Sequence, residues 1–422
     1  MRLYPRVVVS VSLGRPLIKA SGPRPTRRST VVVKSENAHA EQVLAIPRGM
    51  GSPPASPVVR RPVEWVVFGA VPVLMFCFLL GFSVVDTDGW AFDFRQFWQG
   101  GNDVINGVSP YPSEALLATA GDHLDPRGIQ EVFRFPYPAG AAVAFAPFGA
   151  LGFDVAAVLW GVLLIASLLA AVWILGVRDW RVLGVVIGSA PVIGAVAIGT
   201  LTPVLMLLLA VAWRWRDRFW VVGGSLALAI SLKLFLWPLV VWLAATRRWA
   251  AAVGATVLAA AVTFAAWAAI GFDGLADYPE LLRRLSDVVA DRGFSLVALG
   301  VEAGFSDRVP EVLPWLVGLP LLAAVVVIAR RQDGDRRAFS LAVLAAIVLT
   351  PIVWLHYFAL LVVPLALARP RLALAWGVMW VFWLTPVQES GGEIWRIMLA
   401  LGLTSLALAV VMSTARRTLV TQ

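Results

Sequence analysis

Three ionisable side chains, Asp93, Lys233 and His356, stand beside or within segments that are otherwise apolar. Asp93 lies in "WAFDFRQFWQGG", a few residues after the first long apolar run. A carboxylate at the edge of a bilayer has low-dielectric surroundings that tune its protonation, and such a group suits a general base that activates a hydroxyl. The alternative is an ordinary interfacial acid that is solvated by the following loop.

Lys233 is the only charged residue between positions 221 and 245, in "VVGGSLALAISLKLFLWPLVVWLAA". A lysine at a membrane centre costs about 3 kcal/mol on insertion scales, so the fold must supply a partner, a water-filled cavity or a nearby interface. As a functional residue it would hold an anionic head group such as a phosphate. As a structural residue it would extend its ammonium group to the interface.

His356 lies in "LTPIVWLHYFALLVVP", at the beginning of another apolar segment. The other two histidines, His39 and His123, fall in polar regions. An imidazole on the same membrane face as Asp93 is a candidate for proton transfer or for contact with a phosphate or a sugar. The alternative is a structural histidine with satisfied hydrogen bonds.

Three arginines, Arg283, Arg284 and Arg292, lie in a polar stretch that could also bind phosphate, since guanidinium groups recognise phosphate oxygens well. The alternative is that they pair with the nearby Asp287 and Asp291. The sequence has no Walker-type loop, no dinucleotide fingerprint, no HExxH and no Cys/His metal spacing. We therefore expect no cofactor and no metal.

The elements that must position these residues are membrane helices. Hydrophobic residues make up 59% of the 422 residues and charged residues 14%, against about 25% charged in soluble domains. The formal charge of +9 comes from the N-terminal region and short loops, where the positive-inside rule places arginines, so it indicates topology and not a nucleic-acid partner. A single cysteine, Cys77, excludes an intrachain disulfide framework. The composition predicts an all-α polytopic protein in contact with the lipid bilayer.

Residues 1–62 are predicted to be a disordered, basic cytoplasmic tail, because positions 1–61 hold eleven Lys/Arg and two acids. The alternative is that Met50 is the true start. Residues 63–415 form the predicted membrane domain. Its apolar segments are 63–85, 138–152, 153–176, 182–198, 200–213, 219–231, 233–246, 248–271, 311–329, 338–350, 352–368, 371–386 and 394–413.

Basic clusters at 214–218, 247–248, 330–337, 369–371 and 416–417 are predicted to be cytoplasmic. Both termini then lie inside, which an odd number of crossings cannot satisfy. Segment 138–152, interrupted by Pro147, is the expected re-entrant one, which leaves about twelve transmembrane helices. The two long polar stretches, 86–137 with eight acids and three arginines and 273–310 with seven acids and four arginines, become large external loops.

Four motifs in order, "DFRQFWQGGNDVINGVSPYP", "FRFPYPAGAAVAFAPFGAL", "SLKLFLWP" followed by "TRRW", and "TPIVWLHYFALLVVPLAL", resemble glycosyltransferase family 87 of the GT-C superfamily. The resemblance implies a plasma-membrane enzyme whose active site faces outside. It would move a sugar, typically mannose and in some members arabinofuranose, from a polyprenyl phosphate to a glycolipid or polysaccharide acceptor, with inversion.

The resemblance also implies residue roles. Asp93 matches the catalytic base after the first span, and Trp354 and His356 match a "W-x-H" element. Lys233 matches a lysine at a span break, and Tyr111 matches a "G-x-x-x-Y" element with Gly107. Arg95, two residues after Asp93, is expected to contact the substrate. Phe97 stands where the family often has a tyrosine, so no tyrosine role is carried to that position.

Two other classes of function remain open from the sequence. A lipid or sugar transporter or flippase would use the intramembrane Lys233 and the broken spans as parts of a substrate path. A structural membrane protein would give Asp93 and His356 no joint role. Asp93 and His356 lying far apart would weaken the transferase interpretation, and a continuous polar path through Lys233 would favour transport.

Overall fold

The computed structural model describes residues 62–85, 91–111, 128, 132–290, 292–306, 308–385 and 393–413. Within these ranges the regular elements are helices and no strand occurs, which confirms the all-α class. Apart from Pro62, the predicted N-terminal tail lies outside the described residues. So do His123 and the greater part of the 112–131 stretch of the first polar loop.

The helices vary widely in length. In chain order they are a π-helical segment Val66–Ala70, α1 Val71–Val85, α2 Phe92–Ile105, α3 Ala139–Gly149, α4 Phe153–Ile174, α5 Trp180–Ile187, α6 Ala190–Ala197, α7 Thr202–Arg214, α8 Phe219–Leu232, α9 Pro238–Ala245, α10 Trp249–Ala269, α11 Tyr278–Val288, α12 Leu296–Glu302, α13 Val309–Ala329, α14 Gly334–Leu349, α15 Val362–Ala368, α16 Gly377–Val381 and α17 Ile394–Ser413. Four 3₁₀ segments join some of them: Leu234–Leu236, Leu355–Leu361, Leu374–Trp376 and Phe382–Leu384.

Five helices of the described chain are long and apolar enough to cross a bilayer: Pro62–Gly81, α4, α10, α13 and α17. The pair α5 and α6, bent by 62°, is a sixth candidate. Side chains such as Val162, Phe264 and Leu316 are more than 60% exposed on these helices, as expected of faces that contact lipid. The chain is thus a multi-pass membrane protein.

The predicted number of about twelve spans is not confirmed. Several predicted crossings are helices of only 10–17 residues, whereas a full crossing takes about 20. Proline explains part of this, since its ring blocks helix continuation from the preceding turn. Pro238, for example, begins α9 and ends any continuous helix through 219–246. Segment 138–152 holds only the eleven-residue α3, whose last residue accepts a hydrogen bond from Asn102 of α2.

Four of the basic loops converge at one end of the molecule, which we call the arginine end (214–218, 247–248, 330–337 and 369–371). Asp335 accepts hydrogen bonds from Arg216 at 3.0 Å and from Arg248 at 2.8 Å. Arg336 donates to the carbonyl of Leu367 at 3.3 Å. These contacts confirm the sequence expectation that these loops share one side.

The opposite end, which we call the Asp93 end, is formed by α2 and α3, the 132–138 segment, α11, α12 and residues 350–357. Here α2 and α3 pack backbone to backbone. A Cβ atom on Gly101 would lie 2.3 Å from the carbonyl oxygen of Phe145, and one on Gly149 would lie 2.2 Å from the amide nitrogen of Asn102. Only glycine permits this approach, so the two short helices form one rigid platform.

Candidate functional site

Asp93 is positioned by the N-terminus of α2. The amide nitrogens of Asp93 and Phe94 donate to the carbonyl of Ile198 at 2.8 and 3.2 Å, so the end of α6 fixes the beginning of α2. The carboxylate lies in the first turn, where the helix dipole favours negative charge. The backbone of α2 therefore fixes the depth of Asp93.

That depth can be read from α4. Gly199, which follows Ile198, accepts a hydrogen bond from the indole of Trp160 at 2.8 Å. Trp160 lies seven residues after Phe153, the first residue of α4, and a helix rises about 1.5 Å per residue. Phe94 packs against both Phe153, at 6.0 Å, and Trp160, at 5.8 Å, so Asp93 lies at the level of the first two turns of this membrane-spanning helix.

The Asp93 carboxylate is surrounded by protein but keeps a partly exposed surface, as at the bottom of a recess. It accepts no hydrogen bond from any described residue. Burial raises the pKa of Asp93 from 3.8 to about 6, and the positive charge of Lys233 opposes this rise. The group can therefore exchange a proton near neutral pH and is free to accept one from a ligand.

Lys233 lies at the turn between α8 and α9, where the chain leaves the helix with an extended backbone (φ −146°, ψ 108°). Both helices begin or end at the arginine end, so together they form a hairpin with Lys233 at its apex. The side chain is 7% exposed, and its Nζ donates to the Tyr357 hydroxyl at 3.0 Å. It also lies 4.4 Å from the centre of the Tyr357 ring and 5.5 Å from that of Tyr137.

His356 lies in the 3₁₀ segment Leu355–Leu361, after the break at Pro351 that ends α14. The residue before a proline avoids helical backbone, and Thr350 is extended as expected (φ −80°, ψ 133°). The imidazole is 4% exposed, packs against the Tyr357 ring at 4.9 Å and lies within electrostatic reach of Lys233. Its Nε2 is buried and has no hydrogen-bond partner in the described structure.

The three residues singled out from the sequence therefore meet at one place, although they come from α2, the α8–α9 hairpin and the segment after α14. Lys233 is the link, because its charge acts on Asp93 and on His356. Asp93 and His356 thus both lie within reach of the Lys233 charge, and their joint role stays a prediction. Below Lys233, the hairpin that leads to the arginine end is apolar apart from Ser225 and Ser231, so this hairpin offers no charged path.

Sequence reasoning missed Tyr137, Tyr278 and Tyr357. The chain has only five tyrosines, against 19 tryptophans and 21 phenylalanines, and four of the five lie at this site. The fifth, Tyr4, is outside the described residues. Tyrosine is the one aromatic residue that carries a hydroxyl, and its scarcity was a sequence signal that could have identified these three residues.

Two of the four tyrosines at the site fix the position of another, Tyr137. The Tyr111 hydroxyl donates to the carbonyl of Tyr137 at 2.9 Å, and the Tyr278 hydroxyl donates to the neighbouring carbonyl of Pro136 at 3.3 Å. The Tyr111 ring stacks on Trp267 of α10 at 4.7 Å. We call Tyr111 and Tyr278 the tyrosine clasp. It fixes the Tyr137 ring between Lys233 and Phe97 of α2, which lies 4.2 Å away.

The remaining candidates are placed less centrally. Arg95 is exposed, with its guanidinium 4.2 Å from the centre of the Phe153 ring. Trp354 is partly buried, and its carbonyl accepts from the Tyr357 amide at 3.0 Å. Arg292 lies two residues before Phe294, whose amide donates to the Val353 carbonyl at 2.7 Å.

Arg283 and Arg284 make ion pairs on their own helix. Arg283 binds Glu280 and Asp287, each at 2.8 Å, and Arg284 binds Glu280 at 2.8 Å. Arg283 also lines a cavity of about 370 Å³ between α11, α12 and the beginning of α13. Within the described part of the chain, neither arginine forms an ion pair or hydrogen bond with Asp93, Lys233 or His356. Among the described residues, no group of three or more His, Cys, Asp and Glu side chains could hold a metal ion.

A family model matches the part of the chain that holds several of these site residues. Positions 135–353, just over half of the chain, match the model of glycosyltransferase family 87. Tyr137, Lys233 and Tyr278 fall inside this match, whereas Asp93 and His356 lie outside its ends.

Two curated relatives carry the same name, polyprenol-phosphate-mannose-dependent alpha-(1-2)-phosphatidylinositol pentamannoside mannosyltransferase. The protein from Mycolicibacterium smegmatis is 28% identical over 274 residues, covering 58% of this chain and 65% of the relative. The protein from Mycobacterium tuberculosis is 28% identical over 254 residues, covering 54% and 56%. The chain thus spans less than two thirds of the length of either relative. No solved structure matches it significantly.

Proposed function

The chain belongs to glycosyltransferase family 87, and on that premise we propose that it transfers a sugar from a polyprenyl phosphate to a lipid-linked or cell-envelope glycan. Mannose is the sugar we propose, because both relatives are named for a mannose donor. The single observation that carries the proposal is the grouping of Asp93, Lys233 and His356 around two tyrosines. Phe97, one turn after Asp93, and Lys233 both contact the Tyr137 ring, and Lys233 binds Tyr357, on which His356 packs.

In the proposed reaction Asp93 removes the proton from an acceptor hydroxyl. The hydroxyl oxygen forms a bond to the anomeric carbon of the donor sugar, from the face opposite the phosphate. The bond between that carbon and the phosphate oxygen breaks, and the configuration inverts. The proton stays on Asp93 until solvent takes it, and the polyprenyl phosphate leaves with the bonding electron pair. The pKa of Asp93, about 6, suits a base that works near neutral pH.

Lys233 and His356 serve the leaving group. The phosphate gains negative charge as the bond breaks, and fixed cationic or hydrogen-bonding groups lower the energy of that state most when they are held in place beforehand. Tyr357 holds the Lys233 ammonium at 3.0 Å, and the buried Nε2 of His356 has no other partner in the described structure. We assign Arg292 and Trp354 to the same region and Arg95 to the rim of the recess.

The depth of the recess suits a lipid-borne donor. A polyprenyl phosphate keeps its chain in the bilayer, so its sugar is presented at or below the head-group region. A base at the level of the first two turns of α4 can meet the sugar there without extracting the lipid. The ion-paired Arg283 and the cavity that it lines lie further out, and we assign them to the glycan part of the acceptor.

We propose that the Asp93 end faces the outside of the plasma membrane. The convergence of four basic loops at the opposite end supports this orientation, because arginine-rich loops are retained in the cytoplasm. Donor and acceptor would then both be external lipids or glycans. No nucleic acid takes part.

The test uses the purified full chain in lipid nanodiscs with labelled polyprenyl-phosphate mannose and a phosphatidylinositol mannoside acceptor, the class named for the relatives. We expect labelled mannose in the acceptor with the anomeric configuration opposite to that of the donor. Polyprenyl-phosphate arabinofuranose in a parallel reaction tests the choice of sugar. Movement of the labelled lipid between leaflets without transfer would contradict the proposal and support a flippase.

A further inference from the structure

At the arginine end, three guanidinium groups gather without a carboxylate partner; we call Arg336, Arg337 and Arg369 the arginine cluster. Arg336 donates to the Leu367 carbonyl at 3.3 Å, which brings the first turn of α14 against the end of α15. Arg337 and Arg369 lie close enough to repel the charge of Arg336. No carboxylate of the described chain lies within ion-pair distance of any of the three.

Two neighbouring acids are already occupied, and a third, Asp333, lies close enough to act on Arg336 but forms no ion pair with it. Asp335 is bound by Arg216, Arg248 and the indole of Trp242. Asp179 is bound by Arg181. The Nε of Arg337 is buried with no acceptor in the described structure. One carboxylate beside three guanidinium groups leaves positive charge that an anion from outside the fold can balance.

The cluster is built on a fixed backbone. The Arg369 amide donates to the Leu365 carbonyl at 2.7 Å, and the Arg369 carbonyl accepts from the indole of Trp376 at 2.9 Å. Trp376 is fully buried. Three residues after Arg369, the Leu372 amide donates to Asp179 at 3.0 Å. These three hydrogen bonds hold the backbone of the 369–372 loop in a fixed position. The arginine in this loop is therefore confined more closely than it would be in a flexible loop.

We propose that the arginine cluster binds the phosphate of an anionic phospholipid in the leaflet at the arginine end. Guanidinium groups bind phosphate oxygens with paired hydrogen bonds. Leu374, two residues before Trp376, is 99% exposed, as expected of a side chain that contacts lipid. The cluster belongs to a multi-pass membrane protein, so we choose a phospholipid over free phosphate as its ligand.

The experiment measures the melting temperature of the full chain in neutral detergent, by tryptophan fluorescence, with added phosphatidylglycerol, phosphatidylcholine or inorganic phosphate. The test variant is Arg336→Gln/Arg337→Gln/Arg369→Gln. The matched control, Arg214→Gln/Arg218→Gln/Arg330→Gln, removes three exposed arginines from the same end and has the same net charge.

We expect phosphatidylglycerol to raise the melting temperature of the wild type and the control, and the test variant to lose this rise. An equal loss in both triple variants would overturn the proposal in favour of a general charge effect. An equal rise with inorganic phosphate would overturn the lipid assignment. Should the triple variant not fold, Arg337→Gln serves instead, since its guanidinium makes no hydrogen bond in the described structure. Native mass spectrometry should then show fewer phosphatidylglycerol molecules retained than in the wild type, and equal retention would reject the site.

Discussion

At the scale of single residues, two opposing effects set the pKa of Asp93. Burial raises its pKa to about 6, and Lys233 holds it there against a further rise. A base must be deprotonated to act, so the site is active above this pKa and loses activity below it. The same lysine that we assign to the leaving phosphate thus also keeps the base ionised.

We therefore expect kcat/KM to fall as the pH drops through about 6. Lys233→Gln removes the charge that lowers the pKa of Asp93. The acidic limb of the pH–rate profile should therefore move to higher pH, and the maximal rate should fall. The measurement is a pH–rate profile of each protein. Arg95→Gln is the control, because Arg95 is a nearby cation that does not act on Asp93, and its limb should stay in place. A limb at the same pH in Lys233→Gln would contradict the coupling.

The tyrosine clasp gives a second prediction at this scale. Tyr111→Phe and Tyr278→Phe keep the rings but remove the hydroxyls that hold the 136–137 backbone. A neutral hydrogen bond contributes about 1 kcal/mol, so each variant should lower kcat by up to about tenfold. KM for the donor should change less, because the clasp aligns groups that act on the developing charge.

The control for the clasp is Thr404→Val, which removes a buried hydroxyl that donates to the Ala400 carbonyl at 2.8 Å, away from the site. It should leave kcat unchanged. A loss that appears in KM alone for the tyrosine variants would assign them to substrate binding, as the sequence resemblance suggested for Tyr111.

At the scale of elements, short helices bring the site residues together. Proline and glycine breaks at Pro238 and Pro351 end helices before they complete a crossing, and each break leaves one functional side chain at its apex. The rigid α2–α3 platform does the same for Asp93. Functional side chains lie beside these breaks, so activity should be sensitive to small changes in the packing there.

Gly101→Ala tests the platform. Its Cβ would lie 2.3 Å from the Phe145 carbonyl oxygen, so α2 must move away from α3. We expect a loss of about 1–3 kcal/mol of stability, seen as a lower melting temperature, together with reduced transfer. Gly194→Ala is the control, since nothing lies within 4 Å of its Cβ and alanine favours a helix. Similar melting temperatures for the two variants would contradict the close packing of α2 and α3.

The sequence predicted part of this arrangement. Long apolar runs identified α4, α10, α13 and α17 nearly to the residue, because a crossing helix needs about 20 apolar residues and little else. It also found Asp93, Lys233 and His356, because a charge in an apolar run is costly and conspicuous. It could not separate half-crossings from crossings, since hydropathy does not record where a helix turns back. It named Tyr111, but the pairing of Tyr111 with Tyr278 around the 136–137 backbone could not be predicted, because these residues meet only through tertiary packing.

At the scale of the whole molecule, the chain has two different ends. One carries four basic loops tied by ion pairs, and the other carries the recess of Asp93 and the 273–306 segment. The proposed orientation can be tested in intact cells with a membrane-impermeant maleimide. In a Cys77→Ser background, Asp277→Cys should be labelled from outside, and Arg218→Cys only after permeabilisation. Labelling in the reverse order would invert the topology.

The role of Asp93 as the catalytic base is tested by sugar transfer with the wild type and with Asp93→Asn, with polyprenyl-phosphate mannose as donor. Asn keeps the size of the side chain but cannot accept the proton, so we expect transfer to fall by about 10² to 10⁴-fold, the usual contribution of a general base. Asp154→Asn, an exposed acid in the first turn of α4, is the matched control and should retain wild-type transfer. Equal transfer by Asp93→Asn and the wild type would contradict the account.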